Sequence, residues 1–145
     1  MRYARRAFDG EGARLYGGRW NHPGVAVVYC SATLSLAALE YLVHLEPDLA
    51  PQNLAAVAAE LPPGLAAESL EVEGLPPDWR SYPAPERLKD LGTAWVRSRR
   101  TAVLFVPSSV IPEDGNVLLN PAHPDFPKIR QRKAQPFSFD PRMWK

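Results

Sequence analysis

The chain is poor in the residues that carry most recognisable chemistry. It has one cysteine, Cys30, and three histidines among 145 residues. A lone cysteine closes no internal disulfide and excludes a cysteine-based zinc site. His22, His44 and His123 show neither an i,i+4 pair nor an HExxH spacing, so no metal site is expected. Ser108 lies in no Gly-x-Ser-x-Gly elbow, and no carboxylate pair suited to ordinary glycosidase work is visible. An excess of one charge is also lacking. The formal net charge is +1, which gives no general pull toward nucleic acid or an anionic membrane. No apolar run is long enough to span a bilayer, and none follows the N-terminal Met1-Arg2-Tyr3-Ala4-Arg5-Arg6 as a signal peptide would. These absences lead to the expectation of a cytoplasmic protein with no membrane and no direct nucleic-acid partner.

What is present is ordinary in amount and unusual in one respect. Hydrophobic residues make up 46% and charged residues 23%, as in a globular protein, and the length suits one domain over residues 1–145. The 16 prolines fall mostly in the middle and the C-terminal third. Proline removes a donor and fixes φ, so short elements joined by many loops are expected there. Residues 25–31 and 101–106 are apolar runs that read as buried strands. Between them, residues 32–46 read as a largely buried helix capped by Ser31 or Thr33 and ended by Pro47. Residues 85–99 read as a second helix with Leu88, Leu91, Trp95 and Val96 on one face, interrupted by Gly92. For residues 53–61 strand is preferred to helix, and the Phe137–Arg142 alternation suggests a last short strand. Residues 1–12 offer too few apolar groups for an opening strand. The short basic cluster Lys128, Arg130, Arg132 and Lys133 reads as a solvated face or a partner contact.

The candidate site residues lie beside these elements. In Gly17-Gly18-Arg19-Trp20-Asn21 two glycines permit close backbone approach, and the arginine offers a planar fork for phosphate or carboxylate. The spacing is neither the P-loop nor the dinucleotide fingerprint. The run reads either as a diphosphate-binding loop or as a glycine turn with a surface arginine. On the first helix, Thr33, Ala37, Glu40 and His44 form a stripe free of large apolar groups. Glu40 either faces solvent there or looks into a pocket. Ser108, set by Pro107 at the end of a buried strand, either bonds a ligand or caps a turn. Asn120 and His123 order either a site or a loop. Together these residues suit binding and distorting a charged, nucleotide-like molecule.

The runs Phe8-Asp9-Gly10-Glu11-Gly12-Ala13, Gly17-Gly18-Arg19-Trp20-Asn21, Tyr29, Leu36-Ala37-Ala38-Leu39-Glu40, Val106-Pro107-Ser108 and Asn116 through Pro124, in this order, resemble the RES domain family. These are the toxins of RES–Xre bacterial toxin–antitoxin systems, named for an arginine, a glutamate and a serine, which match Arg19, Glu40 and Ser108. Tyr29 matches a further site tyrosine. The resemblance implies an α+β fold with a mixed or antiparallel sheet, similar to diphtheria-toxin-like ADP-ribosyltransferases. It implies NAD as substrate, cleaved at the nicotinamide–ribose bond, with water, inorganic phosphate or a protein as acceptor. It also implies an Xre-type helix-turn-helix antitoxin as partner and leaves homo-oligomerisation open. Catalytic roles then fall to Arg19, Glu40 and Ser108, and substrate binding to Arg19, Tyr29, Ser108, Asn21 and Asn120. The alternatives are a protein ADP-ribosyltransferase, or an inactive NAD pocket that docks an antitoxin. Family members usually begin with a further strand carrying a Tyr/Trp-Arg-Ile-like pattern, so this chain reads as starting after it.

Overall fold

A computed structural model describes residues 6–49 and 51–144. In chain order it contains helix α1 (Glu11–Tyr16), strand β1 (Val28–Ser31), helix α2 (Leu34–Leu42) and strands β2 (Leu54–Ala56), β3 (Ala59–Glu60) and β4 (Ala67–Ser69). Helix α3 (Glu86–Ser98) follows, then strands β5 (Val103–Pro107), β6 (Gly115–Leu119), β7 (Arg130–Gln131) and β8 (Gln135–Phe137). Strand order in the central sheet is β1-β6-β5-β4. The β1/β6 and β6/β5 pairs are antiparallel and β5/β4 is parallel, so this is the α+β fold with a mixed sheet that the resemblance implies. Two short antiparallel ladders pair β2 with β8 and β3 with β7. The expected missing opening strand bears partly on Met1–Arg5, which lie outside the described residues.

Strand β5 is covered along one face at Leu104 and Val106 and at Val103 on the other, where Phe105 stays exposed. Side chains alternate across a strand. Leu104 and Val106 join Leu118, Trp20, Trp79 and three α3 side chains in one core cluster. Val103 joins Phe8, Val28, Leu119 and Ile129 in the other. The parallel β4/β5 pair requires a crossover, and α3 supplies it. Leu88, Trp95 and Val96 of α3 are buried as the periodicity requires. Gly92 belongs to the same face for a steric reason. A Cβ there would stand 1.8 Å from the Trp20 carbonyl oxygen, so glycine lets the helix lie directly on the loop that carries Arg19.

Several expectations are corrected. Helix α2 is shorter than 32–46 and is not largely buried. Only Leu36 is buried, while Leu34 and Val43 are more than half exposed. Thr33, not Ser31, caps it, accepting a hydrogen bond from Leu36 N at 3.1 Å. Pro85 sits at the cap of α3 rather than within its first turn. The last strand ends at Phe137, and Phe139 instead packs edge-on against Phe137 and Trp144. The opening segment holds a short helix, α1, where none was expected. Strands β4 and β6 were also not anticipated. In the basic cluster, Lys128 pairs with Asp125 at 3.0 Å and Arg132 with Glu60. Among the described residues no helix is long and apolar enough to cross a membrane.

Candidate active site

The glycine–arginine run folds into a tight turn. Gly17 takes φ +73°, a conformation that favours glycine. Gly18 N donates to Asn21 O at 3.1 Å and Asn21 N returns to Gly18 O at 3.4 Å. Arg19 and Trp20 therefore stand at the tip and part company. Trp20 enters the core, 2% exposed, against Gly92. Arg19 turns into a cleft.

That cleft has a volume of about 890 Å³, within the range of small-molecule sites. Arg19, Tyr29, Glu40, Tyr82, Lys89 and Asn116 are among its lining residues. Its floor continues a face of the central sheet. Leu104, Val106 and Leu118 of that face pack under α3. Beyond the helix the same face presents Tyr29 and Ser31 of β1, opposite Leu118 and Asn116 of β6 in the antiparallel register. Along one wall α2 sets Ala37 and Glu40, and the turn after it sets His44, so three members of the stripe seen in the sequence line the cleft. Tyr82, Pro83 and Ala84 line it as well.

Arg19 is held on one nitrogen and free on the others. Its Nη1 donates to the carbonyls of Trp79 at 2.8 Å and Ser81 at 2.9 Å. Nε and Nη2 have no hydrogen-bond partner among the described residues and form the bidentate edge that suits a phosphate. Burial pulls the guanidinium below its ordinary pKa, and the nearby Glu40 carboxylate acts in the opposite direction. An arginine stays charged through such changes.

Tyr29 has two ends with different surroundings. Its ring edge is exposed along the cleft. Its hydroxyl is enclosed, accepting from Trp20 N at 3.0 Å and donating to Asn21 Oδ1 at 2.5 Å. Burial pushes the phenol above its ordinary pKa. Gly18 lies against this hydroxyl so closely that a Cβ would come within 2.7 Å of it. The phenol thus locks the turn that aims Arg19.

Glu40 is gripped through a single oxygen. Oε1 accepts from Ser108 Oγ at 2.6 Å and from Asn116 Nδ2 at 2.7 Å. Oε2 has no hydrogen-bond partner among the described residues. Ser108 is fully buried, and its Oγ also accepts from Val110 N and Ile111 N, both at 3.1 Å. A hydroxyl has one donor and two acceptor positions, and all three are in use.

The expected site residues therefore divide. Arg19, Tyr29 and Glu40 meet in the cleft. Asn21, Ser108 and Asn120 do not line it: all three are 0% exposed, with their polar atoms turned to the protein. Asn21 Nδ2 donates to the carbonyls of Ala13, His22 and Val25. Asn120 Nδ2 donates to Val96 O at 3.1 Å, and its Oδ1 accepts from Ala122 N. His123 Nδ1 accepts from Asp125 N, which orders its own loop. Asn116 is the residue that the sequence reading missed. The Asp114-Gly115 pair just before it marks a turn in the sequence, and Gly115 opens strand β6 after the loop of residues 108–114.

With this geometry in place, comparison with known proteins is decisive. The RES domain model matches residues 1–140. The chain belongs to the RES domain family. This RES-domain chain is 43% identical over 137 residues to the Prs ADP-ribosylating toxin of Sphingobium sp. (strain YBL2), covering 93% of the chain and 85% of that protein. It is 39% identical over 144 residues to Toxin Res of Yersinia enterocolitica, covering 98% of the chain and 93% of that toxin. Its fold is shared with a chain in the crystal structure of the M. tuberculosis MbcT–MbcA toxin–antitoxin complex, with a TM-score of 0.66 over 93% of the RES-domain chain and 78% of the other. Sequence identity there is 17%, so that likeness concerns the fold alone.

Proposed function

We propose that this RES-domain chain is the toxin of a toxin–antitoxin pair and acts by cleaving the nicotinamide–ribose bond of NAD. The observation that carries the proposal is the meeting of Arg19, Tyr29 and Glu40, from separate elements, in one cleft of about 890 Å³. The relatives named as toxins support the same reading.

In this mechanism the free edge of Arg19 grips the diphosphate and the Tyr29 ring borders the nicotinamide end. The C–N bond breaks with its electron pair passing to the nicotinamide nitrogen, which discharges the pyridinium. Positive charge develops on the ribose in an oxocarbenium-like state. Glu40, through Oε2, stabilises that charge and holds the ribose hydroxyls. Water as acceptor yields ADP-ribose and a proton, and inorganic phosphate yields the 1″-phosphate. The relative named an ADP-ribosylating toxin favours a second reading, in which a protein side chain is the acceptor. A helix-turn-helix antitoxin of the Xre type completes the proposal, in keeping with the near-neutral charge of this chain.

The test incubates the purified chain with NAD, with and without phosphate and a bacterial lysate, and identifies products by mass spectrometry. Release of nicotinamide is expected, together with free ADP-ribose, its phosphate or a modified protein. Glu40→Ala should lower turnover by at least about a hundredfold, the scale of losing a residue that stabilises developing charge. Unchanged NAD in every arm would overturn the proposal, and full turnover by Glu40→Ala would remove Glu40 from it.

A further inference from the structure

We infer that Asn116, backed by Ser31, is a positioning residue that fixes the rotation of the Glu40 carboxylate and so decides which oxygen meets the ligand. The inference rests on the role proposed for Glu40 and adds a part of the machinery that the arginine–glutamate–serine pattern does not include.

The chain of contacts is continuous. Ser31 of β1 and Asn116 of β6 are direct cross-strand partners. Ser31 Oγ donates to Asn116 Oδ1 at 2.8 Å, and Asn116 Nδ2 donates to Glu40 Oε1 at 2.7 Å. An ionised carboxylate only accepts, so the amide must turn its nitrogen toward Glu40. The amide oxygen then faces Ser31, whose hydroxyl rotates to donate. Ser108 reaches the same Oε1 from the loop after β5, at 2.6 Å. Two donors on one sp² oxygen occupy both of its lone-pair directions. Oε2 is thereby left as the acceptor for a ligand hydroxyl.

Ser108 alone leaves the carboxylate free to pivot about a single hydrogen bond. Asn116 supplies the second fixed point, and the β1/β6 register holds that point in place. Misplacement of a reacting group by about 1 Å costs on the order of a hundredfold in rate. The inferred consequence is a loss in kcat larger than any change in KM.

The experiment is a double-mutant cycle on NAD turnover, with a parallel measurement that needs no turnover. Asn116→Ala is expected to lower kcat roughly tenfold to a hundredfold with KM changed less than about threefold. Ser31→Ala is expected to lower kcat about threefold to tenfold, and Ser31→Thr, which keeps the hydroxyl, to restore it. In the Asn116→Ala background, Ser31→Ala is expected to do nothing further, because groups acting through one another are not additive. In parallel, the side-chain amide resonance of Asn116 in the wild-type chain is followed by NMR. Its protons are expected downfield and slow to exchange, and both features should vanish in Glu40→Ala and weaken in Ser31→Ala. An additive cycle, or an amide resonance indifferent to Glu40→Ala, overturns the inference. If the wild-type chain leaves NAD intact, the proposed function falls and the NMR arm alone decides the positioning. The two failures are therefore distinct.

Discussion

Replacing Gly92 by alanine separates two physical arguments that predict opposite signs. Helix propensity alone says that alanine stabilises an interior helical position by about 0.5–1 kcal/mol relative to glycine. The packing says otherwise. A Cβ at Gly92 would lie 1.8 Å from Trp20 O, 2.7 Å from Trp20 C and 2.9 Å from Trp20 Cβ. The first contact is with backbone, which cannot rotate aside. Relief requires α3 or the Arg19 turn to move by more than an ångström. Overpacking of this kind costs about 1–3 kcal/mol, and so close an approach belongs at the upper end. Taking about 3 kcal/mol against a gain of about 1 leaves a net loss of about 2 kcal/mol. Unfolding entropy of about 2.1 cal/mol/K per residue gives about 0.3 kcal/mol/K for 145 residues, so Tm should fall by roughly 6–7 °C. Thermal and urea unfolding, read by circular dichroism, measure this directly. NAD turnover should fall as well, because Trp20 adjoins Arg19 in the same turn. A Gly92→Ala variant as stable as the wild type, or more stable, would refute the close packing of α3 on the loop.

Tyr29→Phe should separate ring from hydroxyl. It leaves Trp20 N–H and Asn21 Oδ1 without their partner, for a loss of about 1–3 kcal/mol, and loosens the turn behind Arg19. A lower Tm with a raised KM for NAD is expected, and unchanged stability would show that the hydroxyl holds nothing. Burial pushes the Cys30 thiol from an ordinary value near 9 up to about 11. The raised value favours the protonated thiol, and at pH 8 leaves about a hundredfold less reactive thiolate than a free cysteine. Titration with a small thiol reagent under native conditions should show that slowing, and a rate equal to free cysteine would contradict it.

The sequence made the interior of the fold legible and its edges much less so. Strand β5 and helix α3 announce themselves because Val103, Leu104 and Val106 of one and a full face of the other are buried, which leaves clear apolar patterns. Strand β6 has only Val117, Leu118 and Leu119 as apolar residues, preceded by a glycine and an amide, so it looks like a loop. Helix α2 misleads in the opposite direction. Its apolar circumference reads as a core helix, yet Leu34 and Val43 stand outside any core. At the site, Arg19 and Glu40 became meaningful only through their joint resemblance to a family, since no local rule brings them together. The choice of Asn120 over Asn116 shows why. The two share a face of the β6 strand direction, roughly 14 Å apart at about 3.4 Å per residue. Helix α3 covers the far one through Val96 O and leaves the near one at the cleft. Which end stays open depends on a helix placed by the crossover, and the asparagines themselves carry no trace of it.

Residues 70–85 connect β4 to α3, and their last part lines the cleft with Tyr82, Pro83 and Ala84. The elements they join are fixed independently, one by strand pairing and the other by its buried face. Arg19 Nη1 reaches the carbonyls of Trp79 and Ser81, and Arg80 Nε reaches Ser109 O at 3.0 Å. The two bonds from Arg19 hold main chain, so they are indifferent to most side chains in the connection, while the third depends on Arg80. The arrangement makes this connection a module for diversification. Its exposed side chains, Tyr82 above all, can be exchanged and the entrance reshaped without touching the bonds that aim Arg19.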